Sequence, residues 1–412
     1  MKVLVADAFP DDKVGDLAGM GLEVTCDQGL KEDSLRERLR TLQPDILIVR
    51  STRVAGEMIR CCPGLDLIIR AGSGYNTIDV ATASEHSVYV ANCPGKNAVA
   101  VAELAMGLIL SLDRRIPDNV LQLRQGKWNK KEFSRADGLL GKALGVVGLG
   151  RIGGEVAERA RGFGMPVIAW SRSLTPERAE ELGIGYCARP EDLAARADVV
   201  SVHLALTPET RGLVDRAFFD AMKPGAYFIN TSRSEVVDQA ALLEAMEKKN
   251  IRAGLDVFGE EPAAKQGEFH AEIARHPNFY GTHHIGASTR QAQNAVAEEA
   301  VTIVREYLVS GKVRNCVNLM ERTPAGYALS VHHRNRVGIL AGVLDVIRDA
   351  GINVETMENI IFQGAEGACA RILLDGRLGE RELSTIENSS EDIFSVSMVA
   401  LEGTLEGPVP PE

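Results

Sequence analysis

The feature that most constrains how this chain can fold is an alternation that runs from its start to about residue 310. Short apolar, β-branched runs (MKVLVAD, DILIVR, LDLIIR, SVYVANC, ALGVVG, PVIAWS, DVVSVHL, YFINTS, AGLDVF and FYGTHH) are interleaved with stretches whose apolar residues recur at three and four. Val99 to Leu112, Leu242 to Lys249 and Arg290 to Ser310 are the clearest of these. The first pattern is that of strands, the second that of helices. Strands that alternate with helices pair in parallel and are covered by helices on both faces. One sheet holding all of these strands would be unusually wide, and a phosphate-type glycine motif follows only the fifth of them, at Ala143 to Gly148. The expectation is two doubly wound α/β domains, the first over about residues 1 to 96 and the second built around the glycine motif and running to about 286.

After the Pro- and Gly-containing stretch ERTPAG (321 to 326) the pattern changes. Strand YALSVHH, helix GILAGVLDVIRDAG, strands INVETMENII and ACARILLD, helix RELSTIE and strand FSVSMVAL read as βαββαβ, a small ferredoxin-like module. The tail GPVPPE is expected to be disordered. Hydrophobic residues at 45% and charged residues at 25% belong to a soluble globular protein, and a net charge of -11 argues against non-specific nucleic-acid binding. The start MKVLVADAFPDD lacks the pattern of a signal peptide, and no apolar run has membrane-spanning length, so neither membrane nor export is expected and the cytoplasm is. The 7 cysteines form no CxxC, and with the histidines show no metal-ligand spacing, so reduced thiols and no bound metal are expected.

Gly148-Leu149-Gly150-Arg151-Ile152-Gly153 follows the strand ALGVV and precedes the helical run EVAERARGFG. In that context the first glycine permits a tight turn, the second lets backbone approach a pyrophosphate, and the third lets helix pack on strand. The helix N-terminus then faces the anion. The motif predicts a dinucleotide bound to a Rossmann-type domain. The next strand, PVIAWSRS, lacks the terminal acid that would bond the ribose of NAD, and ends instead in Ser171-Arg172. Without that carboxylate, and with an arginine able to pair with a 2′-phosphate, these residues by themselves lean towards NADP.

Three later strand ends finish on ionisable residues: NTSR at Arg233, DVFGEEP at Glu260 and Glu261, and THHIG at His283 and His284. Ligands of open parallel sheets bind beyond the carboxyl ends of the strands, so these side chains should converge near the cofactor. Hydride transfer at a carbinol carbon needs a group that exchanges the hydroxyl proton near neutral pH, which suits histidine. A carboxylate beside it would orient the ring and raise its pKa, and an arginine would hold a substrate carboxylate and polarise the adjoining carbonyl. The chemistry that follows is interconversion of a 2-hydroxy acid and a 2-oxo acid.

The segments GLGRIG, KPGAYFINTSR, AGLDVFGEEP and HHIGAST, in that order, resemble the signatures of the D-2-hydroxyacid dehydrogenase family. The resemblance implies that Arg233 binds substrate, that Glu261 is the carboxylate partner and that His284 is the acid/base. It also implies cofactor contacts at Arg151, Ile152, Thr231, Ser232, Asp256 and Ala287, and NAD as cofactor, with Ser171 standing where the family's ribose-binding Asp is usual. RSTRV, RAGSGYNTID, NCPGKNAVAVAE and GKWNK are similar to its substrate-domain segments and domain crossing. The helix near 290 is thereby expected to return to the first domain. The implied division is a discontinuous flavodoxin-like substrate domain (1–96 and 288–320), a Rossmann domain (97–287) and an ACT-type module (326–412).

Within the family, a terminal ACT module implies the branch that oxidises 3-phosphoglycerate at the opening of serine synthesis. Such a substrate carries two anionic groups. The backbone at Ser73-Gly74 is expected to take its carboxylate, and Arg50, Ser51, Arg53 and Asn97 its phosphate. His333, Asn335 and Asn353 match the L-serine effector positions of similar enzymes, and the resemblance implies a homodimer or homotetramer. Ser234, His283 and Val337 depart from the usual Gly, Pro and Pro. The rival readings are an NADPH-preferring reductase of glyoxylate, hydroxypyruvate or 2-oxoglutarate, and a dinucleotide-sensing, corepressor-like binding protein.

Overall fold

The computed structural model describes residues 1–262, 266–320 and 323–401; the tail GPVPPE lies outside them. The described residues up to 317 form one compact unit and those from 318 on form another.

The first unit contains two parallel sheets. One is made of β1 (Lys2–Val5), β2 (Glu23–Cys26), β3 (Ile46–Val49), β4 (Leu67–Arg70) and β5 (Tyr89–Asn92), in the order β2-β1-β3-β4-β5. This is the flavodoxin-like order. Its residues alternate between two apolar layers. Val3, Val5, Ile46 and Ile48 pack on one face with Val296, Val301 and Val304 of the helix Arg290–Ser310, while Leu4, Leu47 and Val49 pack on the other with Leu35, Leu39 and Met58. The long helix therefore does return to the first sheet, and Val317 N–H bonds Val90 O at the edge beyond β5. That helix starts where the Thr289 hydroxyl caps Ala292 N–H and stops at Gly311, whose φ of 68° is the left-handed ending that glycine adopts without penalty.

The second sheet is made of β6 (Leu144–Val147), β7 (Val167–Trp170), β8 (Gly185–Tyr186), β9 (Val199–Val202), β10 (Tyr227–Asn230), β11 (Arg252–Leu255) and β12 (Phe279–Gly281). The order β12-β11-β10-β9-β6-β7-β8 is a Rossmann sheet extended by one strand, with its switch point between β6 and β9. Ligands of such sheets enter at the carboxyl end of that crevice, where GLGRIG lies. Val146, Ile229 and Val199 face the helices Ala98–Arg114 and Arg151–Gly162, and Val147, Phe228 and Val200 face the opposite layer.

Two strands escape a reading by apolar runs. The edge strand β2 (EVTC) is only half-buried, and β8 has two residues, so neither has enough covered surface to demand an apolar run.

The second unit has β13 (Tyr327–Arg334), β14 (Val354–Ile361), β15 (Gly367–Leu374) and β16 (Ile393–Ala400), all antiparallel, in the order β14-β15-β13-β16. One face of this sheet carries the helices Ile339–Asp349 and Glu380–Asn388 over Leu329, Val331, Ala370 and Ile372. It is the ferredoxin-like βαββαβ arrangement expected from the sequence.

Candidate active site

The glycine motif forms a cradle. Gly148 has φ of 95°, and a Cβ there would lie 2.7 Å from His203 O. A Cβ on Gly153 would lie 2.2 Å from Gly148 O, so only glycine lets the helix Arg151–Gly162 seat against β6. Gly150 by contrast faces open space, and as N-cap it supplies no side chain to the first helical N–H groups. Those N–H groups, together with the buried Thr231 hydroxyl that has no partner, fit a bound pyrophosphate dinucleotide. The Arg151 guanidinium donates to Pro94 O at 2.5 Å, tying the cradle to the crossing segment between the sheets. Ile152 packs on the core below. Substituting Gly153→Ala is expected to destabilise the chain by about 2–3 kcal/mol, because the added methyl meets rigid backbone. Denaturant unfolding checks this, and wild-type stability would contradict the packing described.

Ser171 is half-buried and Arg172 is exposed at the end of β7. The Glu209 carboxyl nearby is held below its usual range by the Thr207 hydroxyl and its own N–H, and further by the charge of Arg172.

Past β10, Asn230 organises the next turn. Its side-chain oxygen accepts from Ser232 N–H at 2.9 Å and from the Ser232 hydroxyl at 2.7 Å, and its amide donates to Arg233 O at 2.9 Å. Arg233 is thereby aimed across the cleft. Its Nη2 lies 2.2 Å from where a Cβ on Gly74 would be, so the guanidinium rests on the glycine loop of the first sheet. In that loop Ser73 Oγ donates to Asn97 Oδ1 at 2.7 Å, and Asn92 holds Ser73 O at 2.6 Å.

Past β11, Asp256 is 1% exposed. Its carboxylate accepts from the Thr282 hydroxyl at 2.5 Å, Ile285 N–H at 2.9 Å and Gly286 N–H at 2.8 Å. It thus clamps the loop that carries the histidines and Ala287. His284 has φ of 52°, a left-handed conformation that a non-glycine residue keeps only when its surroundings impose it. Its Nδ1 lies 2.8 Å from Glu261 Oε2, while Glu261 Oε1 accepts from Phe258 N–H at 2.9 Å. The hydrogen bond to Glu261 raises the His284 pKa against the opposing effect of burial. Burial alone would push Glu261 up, but the bonds from His284 and Phe258 N–H and the nearby positive charges bring it below its usual value. With Nδ1 committed to Glu261, Nε2 is left for a substrate. His283 is exposed, and the charges that move His284 most are those of Glu261, Asp256 and Arg233.

The first sheet contributes residues that sequence reasoning did not single out. Asp7, after β1, accepts from the N–H groups of Arg50, Ser51 and Thr52 and from the Ser51 hydroxyl, all within 2.7–3.0 Å. The RSTR backbone and Ser51 are therefore spent on holding this turn. Arg53 is 71% exposed and pairs with Glu32 at 3.7 Å, so it does not join the cluster around Gly74. Arg70, at the end of β4, does: its Nη1 lies 1.5 Å from where a Cβ on Gly72 would be. In the second unit, His333 is 1% exposed, with Nδ1 2.7 Å from Arg334 O and Nε2 3.2 Å from the Asn359 amide. Asn335 donates to Ala365 O and Asn353 to Glu355 Oε1.

A dinucleotide cradle at the switch point, with an arginine and a carboxylate-braced histidine on the neighbouring strand ends, defines a nicotinamide-dependent dehydrogenase of small hydroxy acids. Residues 106–286 match the family model described as the NAD-binding domain of D-isomer specific 2-hydroxyacid dehydrogenases. The chain is 34% identical over 393 residues to a D-3-phosphoglycerate dehydrogenase of Methanocaldococcus jannaschii, covering 94% of this chain and 70% of that protein. A protein of the same description from Archaeoglobus fulgidus is 36% identical over 334 residues, covering 79% of this chain and 61% of that one. A solved structure of NAD+-bound 3-phosphoglycerate dehydrogenase from Entamoeba histolytica aligns with a TM-score of 0.65 at 26% identity, covering 78% of this chain and 99% of that one. The chain belongs to the D-isomer specific 2-hydroxyacid dehydrogenase family, and its cofactor is NAD.

Proposed function

We propose that the chain oxidises D-3-phosphoglycerate to 3-phosphohydroxypyruvate, the entry step of L-serine synthesis, with Arg233, Glu261 and His284 as its catalytic residues. The observation that carries this reading is the convergence of Arg233 with the Glu261–His284 pair at adjoining strand ends, opposite a glycine loop that also gathers Arg70. NAD, when bound, supplies the hydride acceptor. Arg233 holds the substrate carboxylate and draws electron density from the carbon beside it. His284 Nε2 takes the hydroxyl proton during oxidation and returns it during reduction, while Glu261 keeps the ring in one orientation and stabilises its charged form. The NAD-binding family model and the NAD+-bound relative support NAD over the NADPH-preferring alternative.

The same reading extends to a homo-oligomer, to the cytoplasm, and to feedback by L-serine at the terminal module. There Asn335 and Asn353 are the exposed candidates, and His333 acts as a buried brace. The three-part domain division given above is part of the proposal.

The pH dependence tests the pair. Oxidation needs neutral His284, so kcat/KM falls as pH drops through the His284 pKa, which stands above its ordinary 6.5. Glu261→Gln removes the main cause of that elevation, so the acid limb moves to lower pH even as the plateau drops. A limb that stays in place in this variant would show that another group titrates.

A further inference from the structure

Three phenylalanine rings meet beside the turn that carries Glu261. Phe258 is the middle ring, its centroid 4.9 Å from that of Phe269 and 5.9 Å from that of Phe279, at interplanar angles of 65° and 62°. These are edge-to-face pairs, in which the positive rim of one ring meets the negative face of the next. The cluster has a fixed base. Phe258 and Phe279 pack on the core layer that contains Leu255, Ala271 and Ile273. Gly281 of β12 leaves them room, since a Cβ there would lie 3.2 Å from Phe258 Cζ and closer still to Phe279. Phe269 precedes the buried Ala271 by two residues and is itself 37% exposed. The chain closes on the turn at a second point, because a Cβ on Gly267 would lie 3.1 Å from Pro262 Cβ.

The rings reach the site through one backbone group. Phe258 N–H donates to Glu261 Oε1 at 2.9 Å, and the other oxygen of that carboxylate meets His284 Nδ1 at 2.8 Å. A continuous path therefore runs from Phe269 to Phe258, from Phe258 N–H to Glu261, and from Glu261 to His284. A ring more than a third exposed adds less to the core by burial than a covered one, because that contribution scales with the area removed from water. Its contact with Phe258 bears on where the turn lies.

We propose that Phe269 is a positioning residue of the active site, holding Phe258 so that its N–H fixes the Glu261 carboxylate against His284. The proposal rests on the assignment of Glu261 and His284 as a catalytic pair.

The test compares kcat, KM and pH profile for the full chain and its variants, with D-3-phosphoglycerate or, if the wild type oxidises only the latter, D-2-hydroxyglutarate. Phe269→Ala is expected to lower kcat by about 2- to 10-fold, the equivalent of losing one aromatic pair, with KM for NAD unchanged. It is also expected to move the acid limb of kcat/KM to lower pH, because a carboxylate that leaves His284 no longer favours the charged ring. Phe269→Tyr keeps the ring and should keep the wild-type kcat and limb. In the double variant Phe269→Ala/Glu261→Gln the limb should stand where Glu261→Gln alone puts it, since the path is already cut. A Phe269→Ala chain with a lower melting temperature but a wild-type limb has lost packing only, which overturns the proposal. A limb that moves equally in Phe269→Tyr overturns it too. If Phe269→Ala fails to fold, Phe269→Leu decides: a moved limb supports the proposal, and an unmoved one overturns it. Glu261→Gln separates this claim from the one beneath it. If its limb stays in place, the Glu261–His284 pair is not the titrating unit and both claims fall. If its limb moves while that of Phe269→Ala does not, the pair stands and Phe269 has no part in positioning it.

Discussion

Replacing His284 by Gln is expected to lower turnover by about 10²- to 10⁴-fold while cofactor affinity stays at the wild-type level, the usual span for removing a general acid–base group. The prediction follows from geometry. Nδ1 is held by Glu261 at 2.8 Å, Glu261 is itself held by Phe258 N–H, and the backbone of His284 is bent to φ of 52° to present the ring. These contacts leave Nε2 as the nitrogen that can meet a substrate. The dinucleotide cradle is built from β6 and the helix Arg151–Gly162, and no part of it depends on the imidazole. Single-turnover rates alongside fluorescence titration of NADH separate the two effects. A variant that keeps its turnover would move the acid–base role elsewhere, and one that loses NADH binding would show that the histidine also builds the cofactor site.

A second large effect is expected from Asp256→Ala, at a residue that takes no proton in the proposed reaction. The substitution strands the N–H groups of Ile285 and Gly286 and the Thr282 hydroxyl around a site that is 1% exposed. Each abandoned buried donor costs about 1–3 kcal/mol, so a loss of about 3 kcal/mol or more is expected. The loop that carries His284 then loses its clamp, and a displacement of about 1 Å at a reacting group lowers the rate by about 100-fold. Denaturant unfolding and kcat measured on the same preparation check both parts. Normal stability with normal kcat would mean that the loop is held by something other than this carboxylate.

How far the site is legible in the sequence depends on how local its causes are. Strands such as β3, with ILIV wholly buried, announce themselves because a central strand covered on both faces must be apolar throughout. Arg233, Glu261 and His284 are legible because each lies in the loop that follows a recognisable strand and the chemistry asks for those residue types. Asp7 is not, because its partners lie more than forty residues away and only pairing of β1 with β3 brings them together. Arg70 reads as the ordinary end of LIIR until the glycine loop folds over it, and Arg53 reads as an anion ligand until Glu32 is seen beside it. Asn230 and Asp256 share this character: a polar residue at a strand end can touch a ligand or hold a loop, and only the positions of its acceptor atoms distinguish the two.

The measurement that bears most directly on the central claim is the initial rate of NAD reduction with D-3-phosphoglycerate, set against D-glycerate and D-2-hydroxyglutarate and repeated with NADP. The account predicts the highest kcat/KM for D-3-phosphoglycerate with NAD, and loss of that activity in His284→Gln. Absence of turnover with D-3-phosphoglycerate under both cofactors, with either unphosphorylated acid oxidised, would contradict it.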